Sequence, residues 1–162
     1  RSRNDGRVGR SAISPGPTTC VMPSECAASF SPATASAEFV VPRASGDSED
    51  GEVIVYYFGG GGGSVDANLQ RWTSQFQSTK DPVRTTATVN GLKLTSLDVS
   101  GTYVAEMRPG SAEHYNKPGY RMRATVVETP KGPYFIKLTG PAKTIDSAGA
   151  AFEQFLHSLA FK

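Results

Sequence analysis

The fold is decided by the stretch VIVYYFGGGGGSVDANLQRWTSQF, which occupies residues 53–76. Its first six residues are β-branched or aromatic, which is typical of a central strand buried on both faces. Five consecutive glycines then end the strand, and Ser64 is a natural helix N-cap. Apolar residues next recur at spacings of four, three and four, which predicts an amphipathic helix that lies flat on the sheet. They are Val65, Leu69, Trp72 and Phe76.

A tight hairpin is predicted downstream of this helix. Asn90-Gly91 favours the turn because both positions accept a positive φ, so residues 84–89 and 92–99 are expected to pair. The apolar phase slips along the second of these strands, which predicts a bulge or bend near Thr95 or Ser96.

Hairpins also dominate the rest of the chain. Strands are predicted at residues 38–41, 121–129 and 133–139, with a further short strand at 103–106. A second amphipathic helix closes the chain and starts at Thr144 or Asp146. The sequence therefore predicts an α+β fold, a mainly antiparallel β-sheet flanked by two amphipathic helices.

Chain length and residue composition predict one folded domain that follows an unstructured N-terminal lead. The chain has 162 residues, which is one ordinary domain. Residues 1–32 are dense in Ser, Pro, Gly, Ala and Thr without a sustained apolar period, so we expect a disordered or poorly ordered lead there and a single α+β domain over 33–162. The spacing of Cys20 and Cys26 within the lead permits a small disulfide loop, and two inert thiols are the alternative.

Composition argues against two classes of protein. The longest apolar run is far shorter than the roughly 20 residues that cross a bilayer, so no transmembrane segment is predicted. The net charge is +2, and the basic excess sits in the first ten residues rather than along the fold. A specific nucleic-acid partner is therefore not expected.

The residues that usually carry catalysis form no recognisable constellation. His114 and His157 lack partners at metal-ligand spacing, and no Gly-x-Ser-x-Gly nucleophile elbow is present. The acidic residues of 47–52 share one loop, where such a run is usually solvated. The sequence predicts no catalytic residue, no metal site and no cofactor.

The glycine run that joins strand to helix is the candidate ligand site. This geometry offers backbone N–H groups and a positive helix end to an anion. No Lys-Ser/Thr pair of a P-loop follows the run, and a loop that merely needs backbone freedom explains it equally well. The predicted ligand-binding residues are Gly60, Gly61, Gly62, Gly63, Ser64, Asn68, Arg71 and Lys137.

Three segments carry a resemblance to known proteins. Residues 53–72, together with 132–141 and the closing helix at 152–159, resemble a family of uncharacterised bacterial proteins that are often exported or lipid-anchored. The element order also resembles the Mog1/PsbP-like fold, an antiparallel sheet sandwiched by helices. Members of that fold are accessory or binding proteins, so the fold resemblance implies a non-catalytic role. The family resemblance implies an exported, periplasmic or cell-envelope location, and a cytoplasmic location is the alternative.

We therefore expect a non-catalytic binding or accessory module of the bacterial cell envelope, monomeric and docking on a protein partner. The alternative is a small-molecule or anion-binding protein, with enzymatic activity open, that uses the glycine-rich loop. A ligand site requires a concave pocket where Asn68, Arg71 and Lys137 converge with that loop. A docking module requires an exposed apolar or charged patch instead.

Overall fold

The computed structural model describes residues 37–77, 80–108 and 110–161, so the predicted lead at 1–32 and its two cysteines, Cys20 and Cys26, lie outside the described residues. Within the described ranges, the elements in chain order are β1 (Ala37–Val41), β2 (Gly51–Tyr57), α1 (Val65–Thr73), β3 (Phe76–Gln77), β4 (Val83–Val89), β5 (Leu92–Tyr103), β6 (Lys117–Glu128), β7 (Tyr134–Pro141) and α2 (Ala142–His157). Neither of these helices is long and apolar enough to cross a bilayer.

The described strands form a single antiparallel sheet. Its strand order is β1-β2-β7-β6-β5-β3, and β4 also pairs with β5. The β4–β5 hairpin turns at Asn90 and Gly91, whose φ angles are 49° and 78°, as the sequence predicts. The α+β fold class, with a mainly antiparallel sheet and two helices, is thereby confirmed.

The two helices pack on opposite faces of this sheet and create two cores. The α1-face core contains Leu69, Trp72, Phe76, Leu97, Val99, Tyr120, Met122, Ala124, Val126 and Phe135. The α2-face core is larger and includes Val53, Val55, Leu92, Leu94, Tyr134, Ile136, Leu138, Ile145, Phe152 and Leu156. The sheet is thus the middle layer of three.

The predicted bulge near Thr95 or Ser96 is wrong. Strand β5 pairs regularly with β6 through those positions, and the register shifts only between Gly101 and Tyr103. The apolar residues change from even to odd positions along β5 because the two ends of the strand pack in different cores. Leu92 and Leu94 face α2, whereas Leu97 and Val99 face α1.

Helix α1 is shorter than its apolar stripe suggests. The helix ends at Thr73, and Phe76 already belongs to β3, where it pairs with Tyr103. The Phe76 side chain still packs in the α1-face core. The apolar spacing therefore predicts correctly which side chains are buried, but it does not show where the helix ends.

Helix α2 begins earlier than predicted. It starts at Ala142 rather than at Thr144 or Asp146, and Pro141 at the cap position forms no side-chain cap bond. The missing cap is supplied by a distant loop: Asp47 Oδ2 accepts hydrogen bonds from the Thr144 backbone N–H at 2.9 Å and from its hydroxyl at 2.6 Å. A carboxylate near the first turn also suits the helix dipole.

Strand β2 is buried on one face only, contrary to the prediction. Val53 and Val55 are buried against α2, but Ile54 and Tyr56 on the opposite face remain partly accessible. Helix α1 has nine residues and packs over β5, β6 and the start of β7, so it does not reach across β1 and β2. This leaves part of the α1 face open.

Candidate functional site

The open part of the α1 face holds a cleft of about 640 Å³ with a lysine on its floor. This lysine is Lys137 of β7, and Tyr56 and Phe58, at and just after the end of β2, form an aromatic wall. The end of α1 and the chain following β5 form the remaining walls. We call it the lysine cleft; it is lined by Tyr56, Phe58, Arg71, Ser74, Gln75, Tyr103, Val104, Ala105, Glu106, His114 and Lys137.

Lys137 is a half-buried residue of β7, which lies between β2 and β6 in the sheet. Its neighbours across the sheet are Ile54 and Ala124, and its Nζ donates a hydrogen bond to Gln75 Oε1 at 3.0 Å. Desolvation lowers the pKa of Lys137 to about 8, and the positive charge of Arg71 adds to the shift while Glu52 opposes it. The floor of the cleft thus carries a cation that has lost part of its hydration.

A second cation, Arg71, stands at the wall of the lysine cleft. Its Nη2 donates to Asn68 Oδ1 at 2.6 Å. Asn68 is itself almost completely buried, and its amide nitrogen donates to the carbonyl oxygens of Gly62 and Ser64, each at 2.8 Å. A buried, fully bonded amide therefore positions the guanidinium.

The glycine run does not line the cleft. It precedes α1 and contacts Asn68, which holds Arg71. Ser64 Oγ accepts from the Ala67 backbone N–H at 3.1 Å and caps α1. Gly63 has a φ of 82°, and Gly62 lies so close to Phe135 that a β-carbon there would meet the ring at 2.5 Å. Of the residues predicted from sequence, the structure brings Arg71 and Lys137 together in one cleft and places Asn68 in contact with Arg71. Gly60, Gly61, Gly62, Gly63 and Ser64 do not line that cleft.

Substitutions at Gly61 and Gly62 test whether the glycine run is needed for packing against Phe135. We expect Gly62→Ala to lower the free energy of unfolding by about 1–3 kcal/mol, because the new methyl group overpacks against Phe135. Gly61→Ala is the matched control, since its β-carbon would meet only the Phe58 carbonyl oxygen at 3.4 Å. Urea unfolding of both variants gives the comparison. Equal stability of the two variants would contradict the packing role of Gly62.

Sequence reasoning missed much of the cleft wall. Tyr103 closes the end of β5, and Gln75 lies in the two-residue gap between α1 and β3. His114 belongs to the loop between β5 and β6, and its Nδ1 lies 2.9 Å from the Val104 carbonyl oxygen. No local pattern marks these residues, because strand pairing alone brings them to Lys137.

A second cleft of about 340 Å³ adjoins the first and shares Tyr103 with it. We call it the tyrosine cleft; it is lined by Val40, Glu49, Asp50, Gly51, Glu52, Tyr103, Tyr115, Lys117, Tyr120 and Thr139. Tyr103 stacks on both Tyr115 and Tyr120, with ring centroids 5.7 and 5.8 Å apart.

An ammonium already lies within the tyrosine cleft. Lys117 Nζ is 5.0 Å from the Tyr115 ring centroid and 5.4 Å from that of Tyr120, and it donates to Glu49 Oε2 at 2.8 Å. The hydrogen bond from Lys117 lowers the pKa of Glu49. By contrast, desolvation raises the pKa of Glu52, and the neighbouring charge of Glu38 raises it further. The two clefts therefore differ in the sign of their charge.

Two arginines on the opposite face of the sheet, Arg121 and Arg123, are neutralised by ion pairs. Arg121 pairs with Asp98 at 2.5 Å and also with Asp146, and Arg123 pairs with Glu153. These pairs join β5 and β6 to α2. Their role is to fasten the helix to the sheet, which distinguishes them from Lys137 and Arg71.

Comparisons with known proteins give the fold and no family. No protein-family model matches the chain, and no curated protein matches it either. A crystal structure from Pseudomonas aeruginosa is similar over 78% of this chain and 82% of its own, with a TM-score of 0.56 and 18% sequence identity. That protein is described as of unknown function and suggested to be a regulator. At this identity the likeness supports the architecture alone.

Proposed function

We propose that this chain is a non-catalytic binding module that takes an anionic group in the lysine cleft. The observation that carries the proposal is the Lys137 ammonium, held half-buried on the floor of an open cleft beside a second cation. Within residues 37–77, 80–108 and 110–161, neither Lys137 nor Arg71 forms an ion pair.

An anion would relieve the electrostatic cost of this arrangement. Burying a cation without a counter-charge is unfavourable, and two nearby cations repel each other. Glu106, the carboxylate that lines the same cleft, already accepts a hydrogen bond from the Gly110 backbone N–H at 2.7 Å. A ligand carboxylate or phosphate would supply the missing negative charge.

The exposed aromatic rim of the cleft favours a binding partner larger than an ion. Phe58 is 56% exposed at this rim, and its ring stacks on Tyr56 with centroids 6.0 Å apart. Exposed aromatic residues beside a charged centre are typical of binding surfaces. Docking on a protein partner is therefore part of the proposal, and a place in the bacterial cell envelope remains a prediction from the family resemblance.

Titration calorimetry with benzoate and inorganic phosphate tests the anion site. We expect Lys137→Met and Arg71→Gln each to weaken binding by about 10-fold or more, because a hydrogen bond to a charged group contributes roughly 1.5–3 kcal/mol. Lys143→Met, on an exposed position of α2, is the matched control. Equal binding by the wild type and Lys137→Met would overturn the proposal.

The same titration has a predictable pH dependence. Because the pKa of Lys137 is about 8, its ammonium is present below that pH and lost above it. Anion affinity should therefore fall as the pH rises through about 8 to 9. An affinity that stays constant over this interval would exclude Lys137 as the anion-binding group.

A further inference from the structure

The lysine cleft and the tyrosine cleft together form one trough on the α1 face. Both contain Tyr103, and both have β7 in their floor, through Lys137 in one and Thr139 in the other. Strand β2 borders the trough on one side. On the other side lie residues 104–106 and 114–115, from the connection between β5 and β6.

The trough has a positive end and a negative end. Lys137 and Arg71 mark the positive end, as described above. At the negative end lie Glu49, Asp50 and Glu52, of which Glu49 is paired with Lys117. A ligand that neutralises both ends must therefore carry a negative and a positive group.

The register of the sheet sets the backbone distance between the two charged residues. Glu52 pairs with Thr139, and Ile54 pairs with Lys137, so Glu52 and Lys137 are diagonal neighbours on adjacent strands. Such neighbours lie roughly 7–8 Å apart. In an extended peptide, side chains two residues apart lie on the same side at a separation of roughly 6.8 Å. The backbone spacing of the two residues in the sheet thus matches that of every second residue in an extended ligand.

The tyrosine rings at the negative end already hold one cation of the chain, Lys117. Lys117 shows that an ammonium fits over the Tyr115 and Tyr120 rings of this cleft. Glu52 lies in the same cleft and has no ion-pair partner within the part of the chain that the structure describes. Because Lys117 already covers these ring faces, a basic side chain of a ligand would pair with the Glu52 carboxylate beside them.

We propose that the trough binds an extended segment of a protein partner that presents an acidic and a basic side chain two residues apart. The acidic side chain lies at Lys137 and Arg71, and the basic one lies at Glu52 beside the tyrosines. This inference rests on the proposed function, since it requires the anion site, and it adds the class of partner.

Synthetic peptides with a defined charge spacing test the inference. Each is a fluorescein-labelled, C-terminally amidated eight-residue peptide of alanine and threonine with one Glu and one Lys. The two charges stand either two residues apart or one or three apart, in both orders, and peptides with Glu alone or Lys alone serve as references. Fluorescence anisotropy measures their binding to the full chain.

We expect a spacing of two to bind about 5-fold or more tighter than a spacing of one or three, because odd spacings place the charges on opposite sides of the segment. Glu52→Gln should remove this preference, while benzoate still binds at Lys137 and Arg71. Lys137→Met should weaken all peptides that contain Glu.

The outcomes separate the two proposals. If benzoate binds but the Glu-only peptide matches the peptides with both charges, or no peptide binds, the extended-segment inference is overturned and the anion site stands. If neither benzoate nor any Glu-containing peptide distinguishes the wild type from Lys137→Met, the proposed function fails as well.

Discussion

Replacing Trp72 with alanine should lower the free energy of unfolding by about 3–5 kcal/mol, the range for large aromatic side chains in protein cores. Trp72 is only 2% exposed and belongs to the α1-face core. Its ring meets Phe135 edge-on, with centroids 6.2 Å apart. Since α1 is short, its attachment to the sheet depends on few side chains, and losing the largest leaves a cavity between helix and sheet.

Urea unfolding followed by circular dichroism measures this effect. Met107→Ala is the control, because Met107 is 46% exposed and its truncation should change stability by no more than about 0.5 kcal/mol. A Trp72→Ala variant as stable as this control would contradict the packing of α1 on the sheet.

Replacing Lys137 with methionine should have the opposite effect on stability. The pKa of Lys137 is lowered from 10.5 to about 8 because folding desolvates its ammonium. Below about pH 8 both the folded and the unfolded chain hold the proton, so the full cost of burying the charge is present. We expect Lys137→Met to be more stable than the wild type by about 1–3 kcal/mol near neutral pH.

The gain in stability should disappear at high pH. Between about pH 8 and 10.5 the folded chain has lost the proton that the unfolded chain still holds, so the wild type becomes more stable relative to the variant. Denaturant unfolding of both proteins across this interval measures the difference, with Lys143→Met as the control. A Lys137→Met variant less stable than the wild type at neutral pH would show that the ammonium stabilises the fold.

The fold could be predicted well where the pattern is local. Ser64 caps α1, the stripe from Leu69 to Trp72 faces the sheet, and Asn90-Gly91 turns the β4–β5 hairpin, all from residues within a few positions of each other. A bulge in β5 is the wrong prediction because it assumes that all apolar residues of the strand face one core. The strand instead changes the core that it serves, which depends on where two distant helices pack.

The candidate site could be predicted only in part, for the same reason. Arg71 and Lys137 stand out as cations on an amphipathic helix and a strand, and the structure does bring them to one cleft. Gln75, Tyr103 and His114 reach that cleft through the strand order, which places β7 and β6 between β2 and β5. No spacing along the chain encodes that order.

The protonation of Lys137 in the presence of an anion shows directly whether the lysine cleft binds anions. A nuclear magnetic resonance titration of its ε-carbon gives the pKa without any substitution. We predict a pKa of about 8 in the free protein, lowered from the ordinary 10.5, and an upward shift when excess benzoate is added, because a bound anion favours the charged amine. A pKa near 10.5 that benzoate does not move would contradict the anion site.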